Sequence, residues 1–169
     1  MLHELVIVAA VTGLPAESVT EPKRSQEIYF SIGLTKEYLD EPMFTTVGGS
    51  WIIPVTARLG LRQEVLLNGG DNFNSTAFGA HLAFDLSRGS RVTPYVMAGG
   101  GLLNQGNRWD DFRHMELYGE GGVGVRAALG DHWLLAPEVR FGWGSFPRVL
   151  VNIGYTLREQ EKRPGHRPY

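Results

Sequence analysis

Apolar and polar residues alternate along most of this chain, most regularly in VGVRAALGDHWLLAPEVRFGW, Val123 to Trp143. Val123, Val125, Ala127 and Leu129 fall on one face, joined after the tight turn Gly130-Asp131-His132 by Trp133, Leu135, Pro137, Val139, Phe141 and Trp143. Gly124, Arg126, Ala128, Glu138, Arg140 and Gly142 fall on the other. A period of two residues is that of a β-strand. The same alternation runs through EIYFSIGLTKEY, where Ile28, Phe30, Ile32 and Leu34 oppose Tyr29, Ser31, Gly33 and Thr35. It continues through VGGSWIIPV, LGLRQEVLLN, STAFGAHLAFDL and RVLVNIGYTL, while the glycines of RVTPYVMAGGGLL leave both of its face assignments open. With MELYGEGGVGVRAAL these segments make eight strands, and no helix-period segment stands between them. The connections TAR, SRGS and GDH are tight; LDEPMFTT, GGDNFN and NQGNRWDDFRH are longer, and the short GSFP is the exception to the alternation. Tight turns and both chain ends are therefore expected at one end of the structure, with the longer loops at the other.

At 169 residues the chain is long enough for one domain. A formal net charge of −2, with no basic run interleaved with aromatics, excludes the usual electrostatic footprint of a nucleic-acid binder. The absence of cysteine removes disulfides, thiol redox pairs and thiolate metal sites. Twenty-two glycines are too many for a helical protein and fit turns and close-packed strands. No run of apolar residues is long enough for a membrane helix, but a barrel strand crosses a bilayer with only alternate residues apolar. The segment MLHELVIVAAVTGLPAES carries an apolar run followed by Pro15 and Ala16, the texture of the end of a secretory signal, although it lacks Lys and Arg. The organisation expected is an imperfect or truncated signal peptide over 1–16, a linker over 17–26, the β-domain over 27–158 and a polar tail over 159–169. The alternative for the first segment is a buried strand or short helix of the mature fold.

Which face of the strands meets water decides the kind of protein. A solvated strand face is normally rich in lysine, yet the chain has three, with Lys36 alone in the strand region. The polar face instead mixes small residues (Ser31, Gly33, Ala77, Gly79, Ala83, Gly122) with long charged ones of both signs, the combination that fills a narrow lumen. The charges nearly balance: Arg62, Arg126 and Arg140 stand with Glu64, Glu120 and Glu138, with Glu116, Asp85 and His81 nearby, and buried charges persist when paired. The apolar face carries Trp51, Trp133, Trp143, Tyr155 and Phe30 toward strand ends, where aromatic rings suit the headgroup zone. The reading is all-β: an eight-stranded antiparallel up-and-down transmembrane β-barrel with lipid outside and a polar, plugged interior, closed without edges.

The eight-strand pattern, TPYVMAGGGL, GEGGVGVRAALGDHWLLAPEVRFGWG and the last strand LVNIGYTL resemble the small outer-membrane β-barrel family, the outer-membrane protein A type transmembrane domain and its single-domain relatives. The resemblance covers about Gln26 to Arg158 and rests on glycine and aromatic texture. It implies residence in the outer membrane of a Gram-negative bacterium with chain termini periplasmic, contact with outer-membrane lipid including lipopolysaccharide, and insertion by the barrel-assembly machinery. Members often end on an aromatic residue in the last strand; here Tyr169 follows the polar tail.

Some barrels of this size are lipid A deacylases or palmitoyltransferases, which need a serine, a histidine and a carboxylate. His81, between Gly79 and Ala83, and His114, between Phe112 and Glu116, have no serine two residues away on the same face. His81 is expected to be a lumen residue. Asp110, Asp111 and His114 lie close together in NRWDDFRH without a calcium-loop glycine or an HxxxH spacing, so neither a metal nor a cofactor is expected. That loop, with Arg108, Trp109, Asp110, Asp111 and Phe112, is the largest exposed feature and, over 104–114, the place for an extracellular ligand. GEGGVG lies within a strand and opens no helix, so it is no phosphate loop. The functional expectation is a structural or surface-interaction barrel. The alternatives are a lipid A-modifying outer-membrane enzyme and a soluble eight-stranded barrel that binds a small apolar ligand.

Overall fold

A computed structural model describes residues 25–36, 43–69, 73–87, 91–107, 113–143 and 147–157. The signal, the tail, most of the linker and the loop residues Arg108, Trp109, Asp110, Asp111 and Phe112 lie outside the described residues. Eight strands follow one another: β1 (Gln26–Lys36), β2 (Met43–Pro54), β3 (Leu59–Gly69), β4 (Phe73–Asp85), β5 (Val92–Asn107), β6 (Arg113–Leu129), β7 (Trp133–Trp143) and β8 (Arg148–Leu157). Each pairs antiparallel with the next, and β8 closes on β1 with Phe30 opposite Ile153 and Ser31 opposite Asn152. Closure leaves no strand with a free edge. The architecture is the up-and-down barrel expected from the alternation.

The turns β2–β3, β4–β5 and β6–β7 share an end with the start of β1 and the finish of β8. In the first of these the Thr56 hydroxyl accepts from the amides of Arg58 and Leu59, at 3.2 and 3.0 Å, the local bond that makes threonine a turn residue. In the β6–β7 turn Gly130 has φ of 87°, and a methyl group there would meet nothing within 4 Å. The penalty for a side chain at this position is thus purely one of backbone conformation. Gly130→Ala is expected to cost about 1–2 kcal/mol, read as a lower unfolding midpoint, and Gly130→Asn, which tolerates the left-handed region, should recover part of it. Equal midpoints for all three proteins would refute this.

The β6–β7 ladder is unbroken from Trp143 to Glu138, and pairing resumes at Leu135, leaving Ala136 and Pro137 unpaired with β6. Proline brings no N–H to a ladder, so a gap is expected where one enters an interior strand. The neighbouring Ala136 carbonyl accepts a bond of 2.7 Å from the side chain of Asn152 on β8.

Burial alternates along most of the sheet, lapsing near strand ends such as Met115–Leu117 and Phe141–Trp143, which are exposed throughout. Ile28, Phe30, Leu67, Phe78, Leu82, Leu117, Val123, Phe141 and Val151 are exposed on the outside, Leu117 by 71%. The inside is filled in layers. Toward the turn end Tyr29, Ile52, Ala83, Tyr95, Met97, Leu134 and Ala136 form one apolar cluster. Toward the loop end Leu66, Ala77, Leu103, Tyr118 and Leu150 form a second. β5, whose faces the sequence left open, sends Tyr95, Met97 and Leu103 inward and Val92, Val96 and Leu102 outward.

Candidate functional site: the charged layer of the lumen

Between and around the two apolar clusters lies a network of buried charge. Arg140, on β7 and 0% exposed, is its hub. Its Nη2 and Nη1 donate to both oxygens of Glu64, the former at 2.8 Å; Nη1 also reaches Glu120 at 2.7 Å, and Nε reaches Glu138 at 2.8 Å. A further short bond joins Arg140 Nη2 to Glu138. Arg62, on β3, donates to Glu138 at 2.8 Å and to Asn152 at 3.1 Å, and its Nε lies 3.3 Å from Glu64. Arg148 enters from the loop end of β8, passes its guanidinium over the Tyr118 ring and meets Glu120 at 3.4 Å. Tyr95 donates to Glu138 at 2.6 Å. Forked, charge-assisted bonds of this kind are the stronger class of hydrogen bond and hold their partners in a fixed orientation.

A second group sits at the turn end. Arg126 donates to both Asp85 oxygens, at 3.1 and 3.2 Å, and to the Tyr29 hydroxyl at 2.9 Å. Tyr29 in turn donates to Glu27 at 2.7 Å. Toward the loop end, on the side of β1 to β4, Thr35, Thr46, Asn68 and Ser75 form a chain of hydroxyl and amide bonds.

Of the eight charged residues assigned to the lumen from the sequence, Arg62, Glu64, Asp85, Glu120, Arg126, Glu138 and Arg140 are buried in these two groups. Glu116 is not. It has the inward parity of Tyr118 and Glu120, but lies closer to the loop end of β6, opposite Leu103, and is exposed. Parity assigns a face; it does not say how far along the barrel side chains still fill the space. Glu27, Arg148 and Asn152 were missed, although Arg148 and Asn152 share the even-numbered face of β8 with Gly154 and Thr156, and Glu27 shares the face of Tyr29 and Ser31.

Of the aromatic residues, Trp133 and Tyr155 meet edge to face at the turn end, centroids 5.4 Å apart, with His132 stacked on Tyr155. Trp51 lies outward near the same end, and Trp143, 79% exposed, stands at the loop end of β7. Phe30 is outward but sits in the middle of β1 rather than at an end.

No protein-family model matches the chain, and no curated protein matches it. Solved structures do. The N-terminal β-barrel domain of Pseudomonas aeruginosa OprF superposes with a TM-score of 0.65 at 16% identity, covering 80% of this chain and 98% of that one. Neisserial surface protein A gives 0.62 at 13% identity, over 79% and 96%. The outer membrane protein OprG of Pseudomonas aeruginosa gives 0.57 at 12%, over 81% and 98%. The chain therefore has the fold of the small eight-stranded outer-membrane β-barrels, spanning nearly the full length of each. At these identities the likeness is one of fold.

Proposed function

We propose that this protein is an integral outer-membrane β-barrel of a Gram-negative bacterium with a structural or surface-interaction role. The observation that carries the reading is the inversion of the usual globular arrangement. Aliphatic and aromatic side chains cover the outside, while Glu27, Arg62, Glu64, Asp85, Glu120, Arg126, Glu138, Arg140 and Arg148 are buried within. A water-facing belt of that composition is an aggregation hazard; in a bilayer it is the required surface. In this reading the tight turns and termini are periplasmic and the longer connections extracellular. Outer-membrane lipid, lipopolysaccharide included, surrounds the belt, and the barrel-assembly machinery inserts the chain. The loop 104–114, with Arg108, Trp109, Asp110, Asp111 and Phe112, is the place for an extracellular ligand.

Two features favour this over its rivals. A soluble ligand-binding barrel needs an apolar cavity inside, where this lumen holds ion pairs and packed side chains. A lipid-modifying hydrolase needs a base bonded to its nucleophile, and neither nitrogen of His81 hydrogen-bonds to a serine. The test is expression in a Gram-negative host followed by fractionation. The protein is expected in the outer-membrane pellet after an alkaline wash, with gel mobility that changes on boiling. Recovery as a monodisperse protein without detergent would overturn the reading. Planar bilayers should show no large stable conductance, because an eight-stranded barrel has little room beyond its own side chains. Altered lipid A acylation in expressing cells would instead support the enzyme.

A further inference from the structure

The geometry points to a divalent transition-metal site inside the lumen, formed by Glu64, His81 and Glu120. The three residues come from β3, β4 and β6, all are buried, and one ligand atom from each lies within 4.8 Å of the others. Carboxylates alone would not single out this place; His81 does. Its ring is 1% exposed, with Nε2 3.1 Å from a Glu120 oxygen and Nδ1 3.8 Å from a Glu64 oxygen, and neither contact has the alignment of a good hydrogen bond. A buried imidazole so poorly aligned with its neighbours is costly, and the hydroxyl of the neighbouring Tyr118 has no hydrogen bond among the described residues.

The sheet register brings these groups onto two adjacent lumen rows. One lumen row runs Arg62, His81, Gly99, Glu120, and the adjacent row runs Glu64, Gly79, Gly101, Tyr118. A Cβ on Gly79 would fall 2.4 Å from the Tyr118 hydroxyl, 2.7 Å from His81 Cε1 and 3.2 Å from Glu64 Cγ. Glycine at 79 lets these three groups close in on one another, since any side chain there would displace them. One imidazole nitrogen with two carboxylate oxygens is a donor set of intermediate softness, better suited to zinc and its first-row neighbours than to calcium or magnesium. The 3.1 Å between Nε2 and the Glu120 oxygen is close to the separation of adjacent ligands on an ion with bonds of about 2.1 Å.

Arg140 bears on this directly, since its Nη1 stands 2.5 Å from Glu64 Oε1 and 2.7 Å from Glu120 Oε1. Hydrogen bonds to ligating carboxylates are the usual outer shell of a metal centre and hold the oxygens in place. Arg62 and Arg148 flank the same carboxylates, so the ion competes with three fixed positive charges. Binding is accordingly weaker than at a structural zinc site and reversible by a chelator.

The proposal depends on the interior geometry and not on membrane residence, so its test stands whichever way the fractionation falls. The full-length folded protein, stripped with chelator, is titrated with cobalt and with zinc. One ion per chain is expected, with a visible cobalt spectrum showing nitrogen and oxygen ligation, lost in His81→Gln. On the unsubstituted protein, zinc should shift the ring nitrogen resonances of His81 and leave those of His132 in place, which keeps the test decisive if the variant does not fold. No bound ion at metal concentrations far above the protein's, or binding unchanged in folded His81→Gln, would overturn the site.

Discussion

Arg140→Met is expected to destabilise the folded barrel by about 3–5 kcal/mol, the range for stripping one partner from a buried ion pair. Methionine fills much of the same volume, so the loss is one of charge and hydrogen bonding. The side chain bonds Glu64, Glu120 and Glu138 at once and is fully buried. Without it, three carboxylates face one another with one fewer arginine, Arg62 and Arg148 remaining beside them. Urea unfolding followed by tryptophan fluorescence, on protein folded in detergent or lipid, measures the change. The double variant Arg140→Met with Glu64→Gln should lose less than the two single losses summed, because the second substitution removes a charge that the first left stranded. A loss below 1 kcal/mol for Arg140→Met would mean that the lumen charges are solvated rather than sealed between the apolar clusters.

On the other face of the same strand, Val139→Arg is expected to cost about 2–4 kcal/mol when the barrel is folded into a bilayer. Val139 points outward from the middle of β7, paired with Val123 on one side and Val149 on the other. In a bilayer an arginine there would be held against acyl chains, away from Trp133 and Trp143 at the two ends of the strand. Trp143→Arg, at the loop end of the same strand, should cost about 0–1 kcal/mol, since the penalty falls toward the interface. Similar small losses at both positions would mean that this face meets water, and the membrane reading would fail with them. The pair of substitutions separates depth from the general effect of adding charge.

The sequence alone carried the eight strands, their order and the division of residues between two faces. A period of two is local: Val125, Arg126 and Ala127 point out, in and out whatever the rest of the chain does. The deficit of lysine and the balance of Arg against Glu then indicated which face is enclosed. Where local pattern was weak, as in the glycines after Met97, the sequence left the faces of β5 open, and the register with β4 and β6 decided them.

What only the tertiary structure decided is depth and partnership. Glu116 and Glu120 share a face, yet one is exposed and the other lies under Arg140. Arg62 finds Glu138 across the lumen, 76 residues away in sequence, because closure of β8 on β1 brings β3 and β7 to face each other. The stacking of apolar and charged layers, the descent of Arg148 onto Glu120, and the meeting of His81 with Glu64 and Glu120 have the same origin. Alternation sets which way a side chain points, but contacts between strands that are not neighbours depend on the stagger of the whole closed sheet, and no stretch of sequence holds that by itself.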